Sequence, residues 1–385
     1  MPLPPSMPPV PAHLYVHVPF CTGRCAYCAF YSIPHPDRAG KWLPALAREL
    51  DLAPQGEAPR PTTVYIGGGT PTSLQEADFA ALLDTVAAHI DTGAVREWTV
   101  ESNPDTLTAQ ACRLMRDAGV NRISVGAQSF DDRVLAAAGR RHDARSIDTA
   151  VATARREGFE NIGLDLIAGL PGDTADTWAM SLRRALELRP AHLSVYALSI
   201  EEGAPLSVLC ASGALAHPTE DEEIRRLDEA EAALAAAGYD HYETSNFALP
   251  GRTCLHNLGY WRGRDYLGVG PSAASRWGQR RWTNAPDLED YQSALAAGRL
   301  PPRDEEAVSL VVDRTERLIF GLRLTEGVSL EAAAAGDAAL REHWTRTLVR
   351  LGRHGLAVTA GDRWTLTPTG RRIADSVAEE LIPDR

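Results

Sequence analysis

The order of short apolar runs and amphipathic segments over residues 13–198 constrains the fold more than any other feature of this chain. Alanine-rich amphipathic segments lie near 39–52, 73–90, 108–118, 144–157 and 174–188. Between them, six short runs rich in Val, Ile, Leu, Tyr and Thr are typical of buried β-strands. These runs are His13–Val18, Thr62–Ile66, Glu97–Glu101, Asn121–Gly126, Glu160–Ile167 and His192–Leu198.

This alternation predicts βαβ units, a parallel sheet and right-handed crossovers. Six units are too few for a closed eight-fold barrel, so we expect an α/β fold with an open, partial (β/α)6 barrel. In barrels of parallel strands the functional site lies at the C-terminal ends of the strands. Helix boundaries agree with this interpretation, because Thr108 is a candidate N-cap and Gly119 and Gly158 stand where helices should end.

The pattern changes after residue 200. Residues 219–237 are typical of a long helix with Thr219 as its cap, residues 245–300 have no clear period, and helices resume from about residue 305. The end of the chain indicates a helix, a hairpin and a final helix, as in a winged-helix-like α+β module. We therefore expect a disordered Pro-rich tail, a partial barrel, a connecting segment and a C-terminal module, over residues 1–12, 13–245, 246–300 and 301–385.

Charge and hydropathy exclude several classes of protein. The net charge of -12 disfavours non-specific binding to nucleic acid and attraction to an anionic membrane. The longest apolar stretches are interrupted well before the ~20 residues that a spanning helix needs. Residues 1–12 lack the basic start and apolar core of a signal peptide. We expect a cytoplasmic protein that is not embedded in a membrane, in a compartment where thiols stay reduced.

Three cysteines follow the first predicted strand in the spacing C-x3-C-x2-C. Cys21, Cys25 and Cys28 lie within eight residues, so their thiolates can converge on one inorganic centre. Three protein ligands would leave one iron of a 4Fe–4S cluster open to a small molecule. The alternative is a zinc site with a distant fourth ligand such as His17 or His35.

The segment around these cysteines resembles the radical S-adenosylmethionine superfamily. In that superfamily the open iron is chelated by the amino and carboxylate groups of S-adenosylmethionine. The resemblance is closer to the oxygen-independent coproporphyrinogen III oxidase group, and it extends over roughly residues 13–380. It rests on the C-terminal module and on the sequences YVHVPFC, YIGGGTPT, ESNP, SVGAQSF and GLDLIAGLPG.

The resemblance implies a set of cofactor-binding residues, one position at a time. Tyr15 corresponds to a tyrosine beside the methionyl group, and Tyr27 to the aromatic residue between the second and third cysteines. A glycine-rich turn lets the backbone approach the amino group, because glycine has no Cβ, and Glu101 would accept hydrogen bonds from that group. The turn residues are Gly68, Gly69 and Thr70, and the ribose and carboxylate contacts are Gln128, Arg140 and Asp165.

Two features separate the chain from the oxidases themselves. Phe30 stands where the oxidases carry a further cysteine, and residues 254–261 contain the motif HNxxYW. Both features resemble the HemW family of heme chaperones, which keeps the same scaffold but handles finished heme. The N-terminal substrate extension of the oxidases is also too short here, since only 14 residues precede Tyr15.

The HNxxYW motif implies heme contact through His256, Asn257, Tyr260 and Trp261. An imidazole can ligate heme iron, and the flanking aromatic rings can pack against the porphyrin. Cys254 is a competing soft ligand two residues away. The structural alternative is a buried histidine that is hydrogen-bonded among core aromatics.

The expected function is that of a heme chaperone, which carries a 4Fe–4S cluster with bound S-adenosylmethionine, binds heme and transfers it to an acceptor protein. The alternative is an enzyme, an oxygen-independent coproporphyrinogen III oxidase. A third hypothesis, a DNA-binding regulator, rests on seven arginines within residues 341–374, and we do not expect nucleic acid as a partner. The sequence identifies neither the acceptor nor the oligomeric state, for which a homodimer is one option.

Overall fold

The computed structural model describes residues 10–53, 59–212 and 218–383. Most of the tail expected at residues 1–12 lies outside the described residues. Within the described ranges, no helix is both long enough and apolar enough to cross a lipid bilayer.

Six parallel strands form the centre of the fold. Their order in the sheet follows the order in the chain, and each lies within two residues of its predicted bounds. The partial barrel predicted from the alternating pattern is therefore confirmed. The strands are β1 (His13–Val18), β2 (Thr63–Gly68), β3 (Glu97–Ser102), β4 (Arg122–Gln128), β5 (Ile162–Ala168) and β6 (His192–Ala197).

Helices cover the outer face of these strands and bury large apolar side chains against them. Trp42, Trp98 and Trp178 are among the fully buried residues of the shared core. The predicted cap of the third helix is confirmed, since the Thr108 hydroxyl accepts a hydrogen bond from the Ala111 N–H. The helices are α1 (Ala39–Leu52), α2 (Glu76–Ala88), α3 (Ala109–Ala118), α4 (Asp132–Ala137), α5 (Ala144–Arg156) and α6 (Ala175–Glu187).

Three short strands extend the parallel sheet at both edges. A hairpin of β7 and β8 pairs antiparallel with β6, and β9 pairs parallel with β1. The boundary that we expected at residue 245 falls inside this hairpin. Residues 246–300 therefore contain β8 and β9 of the sheet in addition to connecting segments. Strands of three or four residues are too short to show a period in the sequence. The elements after β6 are α7 (Pro205–Ala211), α8 (Glu220–Ala236), β7 (Asp240–Glu243), β8 (Asn246–Ala248), α9 (Leu255–Trp261) and β9 (Leu267–Val269).

A small antiparallel sheet with one helix joins the barrel to the C-terminal module. Its elements are β10 (Ala274–Trp277), β11 (Arg280–Asn284), α10 (Leu288–Ala296) and β12 (Arg303–Ala307).

The C-terminal module has the element order of a winged helix and a core of its own. Trp344 and Leu348 are fully buried in that core, and Trp344 donates a hydrogen bond to the Leu381 carbonyl. The module contains α11 (Leu310–Leu322), β13 (Val328–Ser329), α12 (Leu330–Ala334), α13 (Ala338–Arg353), β14 (Ala357–Ala360), β15 (Arg363–Leu366), α14 (Pro368–Arg372) and α15 (Ala374–Leu381).

Candidate functional site

A cavity of about 610 Å³ opens at the C-terminal ends of the parallel strands. This is the end at which the sequence predicts the site. All three cysteines of the C-x3-C-x2-C loop line the cavity. So does every other residue expected to bind the cofactor except Tyr15, namely Tyr27, Gly68, Gly69, Thr70, Glu101, Gln128, Arg140 and Asp165.

The cysteine loop is held in place by backbone hydrogen bonds. The Cys21 N–H donates to the Ile33 carbonyl at 3.1 Å, and the Cys28 N–H donates to the Cys25 carbonyl at 3.2 Å. The three thiols are free, and burial raises the pKa of the Cys28 thiol. The loop thus presents three sulfur ligands to one side of the cavity.

A partly buried arginine lies beside the cysteine loop. Nη1 of Arg140 is 3.5 Å from Sγ of Cys25 and 3.5 Å from the Tyr27 hydroxyl. Its Nη2 donates to Oδ1 of Asn103 and to the Gly126 carbonyl, each at 2.7 Å. A fixed cation at this distance stabilises the thiolate form that a metal cluster requires.

Asn103 was not singled out from the sequence, although it lines the same cavity. Its amide group also donates to the Thr70 hydroxyl at 3.0 Å. It therefore links the arginine to the glycine-rich turn. Its place directly after the third strand is the signal that could have identified it.

The glycine-rich turn after β2 lies closer to the backbone of the cysteine loop than a side chain would allow. A Cβ at Gly69 would lie 2.2 Å from the Phe20 carbonyl oxygen, and Gly68 has a φ of +102°. Only glycine meets both demands without strain. The Gly68 N–H donates to Oε2 of Glu101 at 3.2 Å, so the turn is tied to the carboxylate that the resemblance implies for the amino group.

Glu101 is a half-buried carboxyl at the inner wall of the cavity. Its Oε1 accepts a hydrogen bond of 2.8 Å from the Tyr65 hydroxyl. Burial raises the pKa of Glu101 to about 7, and the nearby Asp165 contributes in the same direction. A cation placed beside Glu101 would restore its ionised form. Tyr65 was not predicted, although its inward position on β2 follows from the alternation of side chains along a strand.

Two polar residues on neighbouring strands, Asp165 of β5 and Gln128 of β4, line the same cavity. Asp165 accepts a hydrogen bond from the Ser124 hydroxyl, 3.2 Å from its Oδ2, and burial raises its pKa. Gln128 has a φ of +65°, and its Oε1 is buried without a hydrogen-bond partner. A strained residue with an unpaired polar atom is typical of a ligand site.

The chemistry of this wall fits the cofactors implied by the sequence. Three thiols on one loop suit an iron–sulfur cluster, and buried carboxyls beside a glycine turn suit a cationic amino group. The zinc alternative finds no support in the positions of its proposed fourth ligands. Nε2 of His17 is 2.9 Å from the Tyr31 carbonyl, and His35 is exposed beside Asp37. Over the described parts of the chain, no three His, Cys, Asp or Glu side chains, the loop cysteines included, are grouped closely enough to hold a single ion.

Tyr15 lies one layer below the cavity wall. Its hydroxyl is 3.1 Å from Nδ1 of His17, and its ring centroid is 6.3 Å from that of Tyr65. The structure therefore places it next to residues of the site without exposing it to the cavity.

The HNxxYW motif, from which we expect heme contact, lies at the end of the barrel opposite the cavity. His256 is 1% exposed. Its Nδ1 is 2.8 Å from Oγ1 of Thr63, the first residue of β2, and its Nε2 is 2.8 Å from the Tyr260 hydroxyl. Both ring nitrogens are therefore occupied within the core. We call this region, formed by Thr63, His256 and Tyr260, the barrel floor.

The other residues of the motif are also engaged within the protein. Cys254 is fully buried with its Sγ 3.4 Å from Oε1 of Glu97, and burial raises its pKa to about 12. The backbone N–H of Asn257 hydrogen-bonds to the same thiol. Trp261 packs edge-on against Phe320 of the C-terminal module. In this arrangement neither His256 nor Cys254 is available as an axial donor to heme iron.

Several arginines of the C-terminal module form ion pairs that reduce the positive charge available to a phosphate backbone. Arg341 pairs with Glu331 and Arg350 with Glu380, both on the module itself. Two further arginines, both on α14, pair with acidic residues of α8. These ion pairs hold α14 against the barrel domain. These two pairs are Arg371–Glu231 and Arg372–Asp228.

Comparison with known proteins yields two family matches and close similarity over the whole chain. Residues 15–185 match the Radical SAM superfamily and residues 311–373 match the HemN C-terminal domain. The chain is 38% identical over 381 residues to the heme chaperone HemW of Mycobacterium tuberculosis, covering 98% of this chain and 96% of that protein. It is 35% identical to the Bacillus subtilis heme chaperone HemW, covering 94% and 97%. The solved structure of the Escherichia coli coproporphyrinogen III oxidase HemN, a radical SAM enzyme, has a TM-score of 0.84 at 25% identity, covering 98% and 91%.

Proposed function

Since the chain belongs to the HemW family of the radical SAM superfamily, we propose that it is a heme chaperone that binds heme and passes it to an acceptor protein. The observation that carries the proposal is the 38% identity to a heme chaperone over 98% of this chain. Phe30 supports it further, because that residue replaces the additional cysteine that the resemblance associates with the oxidases.

We further propose that Cys21, Cys25 and Cys28 hold a 4Fe–4S cluster with one open iron. The cavity beside the loop has room for S-adenosylmethionine against that iron. When both are bound, they supply one-electron chemistry at the sulfonium group. The binding itself falls to the side chains on the cavity wall.

Each polar group of the cavity wall has a role in this proposal. Glu101 accepts hydrogen bonds from the amino group, which the Gly68–Thr70 turn approaches without steric conflict. Arg140, whose Nε is buried without a hydrogen-bond partner, is assigned to the carboxylate. Gln128 and Asp165 are assigned to the ribose hydroxyls, and the Tyr27 ring covers the cofactor from the side of the cysteine loop.

We place heme at the mouth of the cavity. The motif on the barrel floor would have to unpack before it could reach iron, whereas two aromatic residues on the cavity wall are open to solvent. Phe30 is 71% exposed and Tyr196 is 40% exposed. Exposed aromatic rings beside a large cavity favour a planar, apolar ligand. We define Phe30 and Tyr196 as the cavity mouth.

The residues at the cavity mouth suit a ligand that is bound weakly enough to be released. The residues that line the cavity include no histidine. Heme at this place would be held mainly by stacking and apolar contact, so that a stronger axial ligand on an acceptor protein could withdraw it. A reducing cytoplasm suits the proposal as well, because the six cysteines are all free thiols.

The oxidase remains the second candidate, and the structural similarity to HemN favours it. The test is cluster reconstitution under anaerobic conditions, followed by heme titration and a coproporphyrinogen oxidase assay on the same preparation. The proposal expects about one heme per chain and no decarboxylated product. Product formation without saturable heme binding would reverse the order of the two candidates. Gel filtration of the same sample distinguishes a monomer from a homodimer.

A further inference from the structure

Glu101 is connected to the barrel floor by a short chain of contacts. The Tyr65 hydroxyl donates to its Oε1 at 2.8 Å. The ring of Tyr65 lies on the imidazole of His256, with the centroids 5.1 Å apart and the planes inclined by 32°. His256 is in turn fixed by hydrogen bonds to Thr63 and Tyr260. The motif residue is therefore one aromatic ring away from the carboxylate assigned to the cofactor.

The helix that carries His256 is anchored from the same strand that carries Glu101. The carboxylate of Glu97 accepts hydrogen bonds from the Leu255 N–H at 2.8 Å and the His256 N–H at 3.0 Å. Glu97 and Glu101 are four residues apart on β3, so both side chains point to the same face of the strand. Strand β3 thus anchors the start of α9 through Glu97, at the barrel floor, and carries Glu101 at its cavity end.

The other end of α9 packs against the C-terminal module. The Arg323 guanidinium lies 4.6 Å above the centroid of the Trp261 ring, and Arg262 donates to Oε1 of Glu326 at 3.1 Å. The helix that carries the floor residues His256 and Tyr260 is therefore held between β3 and the C-terminal module. Their positions are set by packing rather than by side-chain freedom.

We propose that His256 and Tyr65 are positioning residues for Glu101, and that the HNxxYW motif acts on the cofactor carboxylate rather than on heme iron. The inference rests on the proposed function in one respect, namely that Glu101 receives the amino group of S-adenosylmethionine. The imidazole fixes the plane of the Tyr65 ring, and the ring directs its hydroxyl at Oε1. Loss of that donor would leave a buried carboxyl with less stabilisation of its charged form.

The groups that face Glu101 determine how its titration can be observed. The phenols around it stay neutral between pH 6 and 9, because burial raises their pKa values. Arg122 favours the ionised form of Glu101, and Asp165 disfavours it. The α-amino group of S-adenosylmethionine also titrates in this range, since the usual pKa of such a group is about 7.7–8.0. A titration here therefore reports Glu101, Asp165 or the ligand, and the Glu101→Gln variant isolates the contribution of Glu101. The facing groups are Tyr15 of β1, Tyr65 of β2, Arg122 of β4, Asp165 of β5, Tyr196 of β6 and Tyr260 of α9.

The test measures the affinity of the reconstituted protein for S-adenosylmethionine between pH 6 and 9, in wild type, Tyr65→Phe and His256→Phe. In Tyr65→Phe the affinity at pH 7 should fall by about threefold to tenfold, because one hydrogen bond to a charged group is lost. The midpoint of the rise in affinity with pH should move upward. His256→Phe keeps a flat ring but loses both hydrogen bonds, so its midpoint should move in the same direction. Heme binding should be unchanged in both variants.

Tyr239→Phe is the matched control. It removes a buried hydroxyl that donates to the Pro190 carbonyl at 2.6 Å, away from Glu101. It should lower stability without moving the pH midpoint.

A wild-type pH profile in both Tyr65→Phe and His256→Phe would overturn the inference, as would loss of heme binding in His256→Phe with unchanged cofactor affinity. If His256→Phe does not fold, Tyr65→Phe decides alone. If wild type itself binds no S-adenosylmethionine, the proposed cofactor role has failed. If wild type binds S-adenosylmethionine and both variants bind it with the wild-type pH profile, only the positioning role is rejected.

Discussion

Oγ1 of Thr70 lies 3.2 Å from Sγ of Cys21, so the glycine-rich turn touches the first residue of the cysteine loop. The contact follows from the sheet, in which β1 and β2 run parallel and Val18 stands opposite Gly68. The loop and the turn leave the ends of neighbouring strands and meet above the same edge. They therefore form one structural unit, and a change in either should affect both metal and cofactor.

Replacement of Cys21, Cys25 or Cys28 by alanine should abolish the iron content and the broad visible absorbance of the reconstituted protein. Each removes one of the three thiols on the loop that we propose as the cluster ligands. Iron analysis and absorbance after anaerobic reconstitution measure the effect.

Alanine variants of Cys112, Cys210 and Cys254 are the controls for cluster assembly. Cys112 and Cys254 are fully buried, and Cys210 lies on α7, outside the cysteine loop. These variants should retain the cluster. Loss of iron in Cys210→Ala as complete as in Cys25→Ala would show that the three-ligand assignment is wrong.

The affinity for S-adenosylmethionine should rise with pH through about 7. Burial raises the pKa of Glu101 to about 7, so the carboxyl is protonated below that pH, and its ionised form is the stronger acceptor for hydrogen bonds from the amino group. The change is at most about tenfold per pH unit below the midpoint. Isothermal titration at several pH values measures it, and Glu101→Gln should bind weakly with a flat profile. A flat wild-type profile would contradict the assignment of Glu101.

Phe30→Ala should weaken heme binding by about tenfold, because an aromatic contact with the porphyrin is lost. Tyr196→Ala should act in the same direction. Val358→Ala is the matched control, since Val358 is also exposed, at 53%, but lies on β14 of the C-terminal module. Absorbance titration with heme measures all three. Equal affinities in Phe30→Ala and Val358→Ala would exclude the cavity mouth as the heme site.

The pH dependence of stability should contain a contribution from Glu49 of α1. This carboxylate is fully buried and accepts hydrogen bonds from the Tyr291 hydroxyl at 2.6 Å and from the Gly270 N–H at 2.7 Å. Burial raises its pKa from 4.5 to about 7. A folded-state pKa above the unfolded value means that its contribution to stability is complete below pH 4.5 and is lost as the pH rises through about 7.

The Glu49→Gln variant isolates this contribution, because it cannot ionise. Between pH 4.5 and 7, the free energy of unfolding of wild type should fall relative to the variant by up to about 1.4 kcal/mol per pH unit. Urea unfolding across this range measures the difference. A constant difference between the two proteins would show that Glu49 titrates normally in the folded state.

The parallel strands and the cysteine loop could be predicted because their signals are local. A run of five to eight alternating or apolar residues identifies each strand, and chain order then determines the sheet order. The site residues followed because parallel strands end at one edge. By contrast, β8 and β9 have three residues each and pair only because neighbouring strands offer an open edge.

The burial of His256 could not be read from the motif that contains it. A histidine followed by two aromatic residues is equally compatible with a heme contact and with a core. The choice depends on Thr63, a residue 193 positions earlier in the chain, whose hydroxyl lies 2.8 Å from the imidazole. Tyr65 was missed for a similar reason, because its partner Glu101 lies on another strand.

The pairing of β9 with β1 has a consequence for how the protein is made. β1 acquires its partner β2 once residue 68 has been synthesised, but its other edge stays open until residue 269. At translation rates of about 5–20 residues per second, that edge is unpaired for roughly 10–40 s. An open strand edge is a template for aggregation, and this strand leads directly into the cysteine loop. We therefore expect cluster insertion to follow completion of the chain, and a nascent chain stalled before residue 269 to need a molecular chaperone of its own.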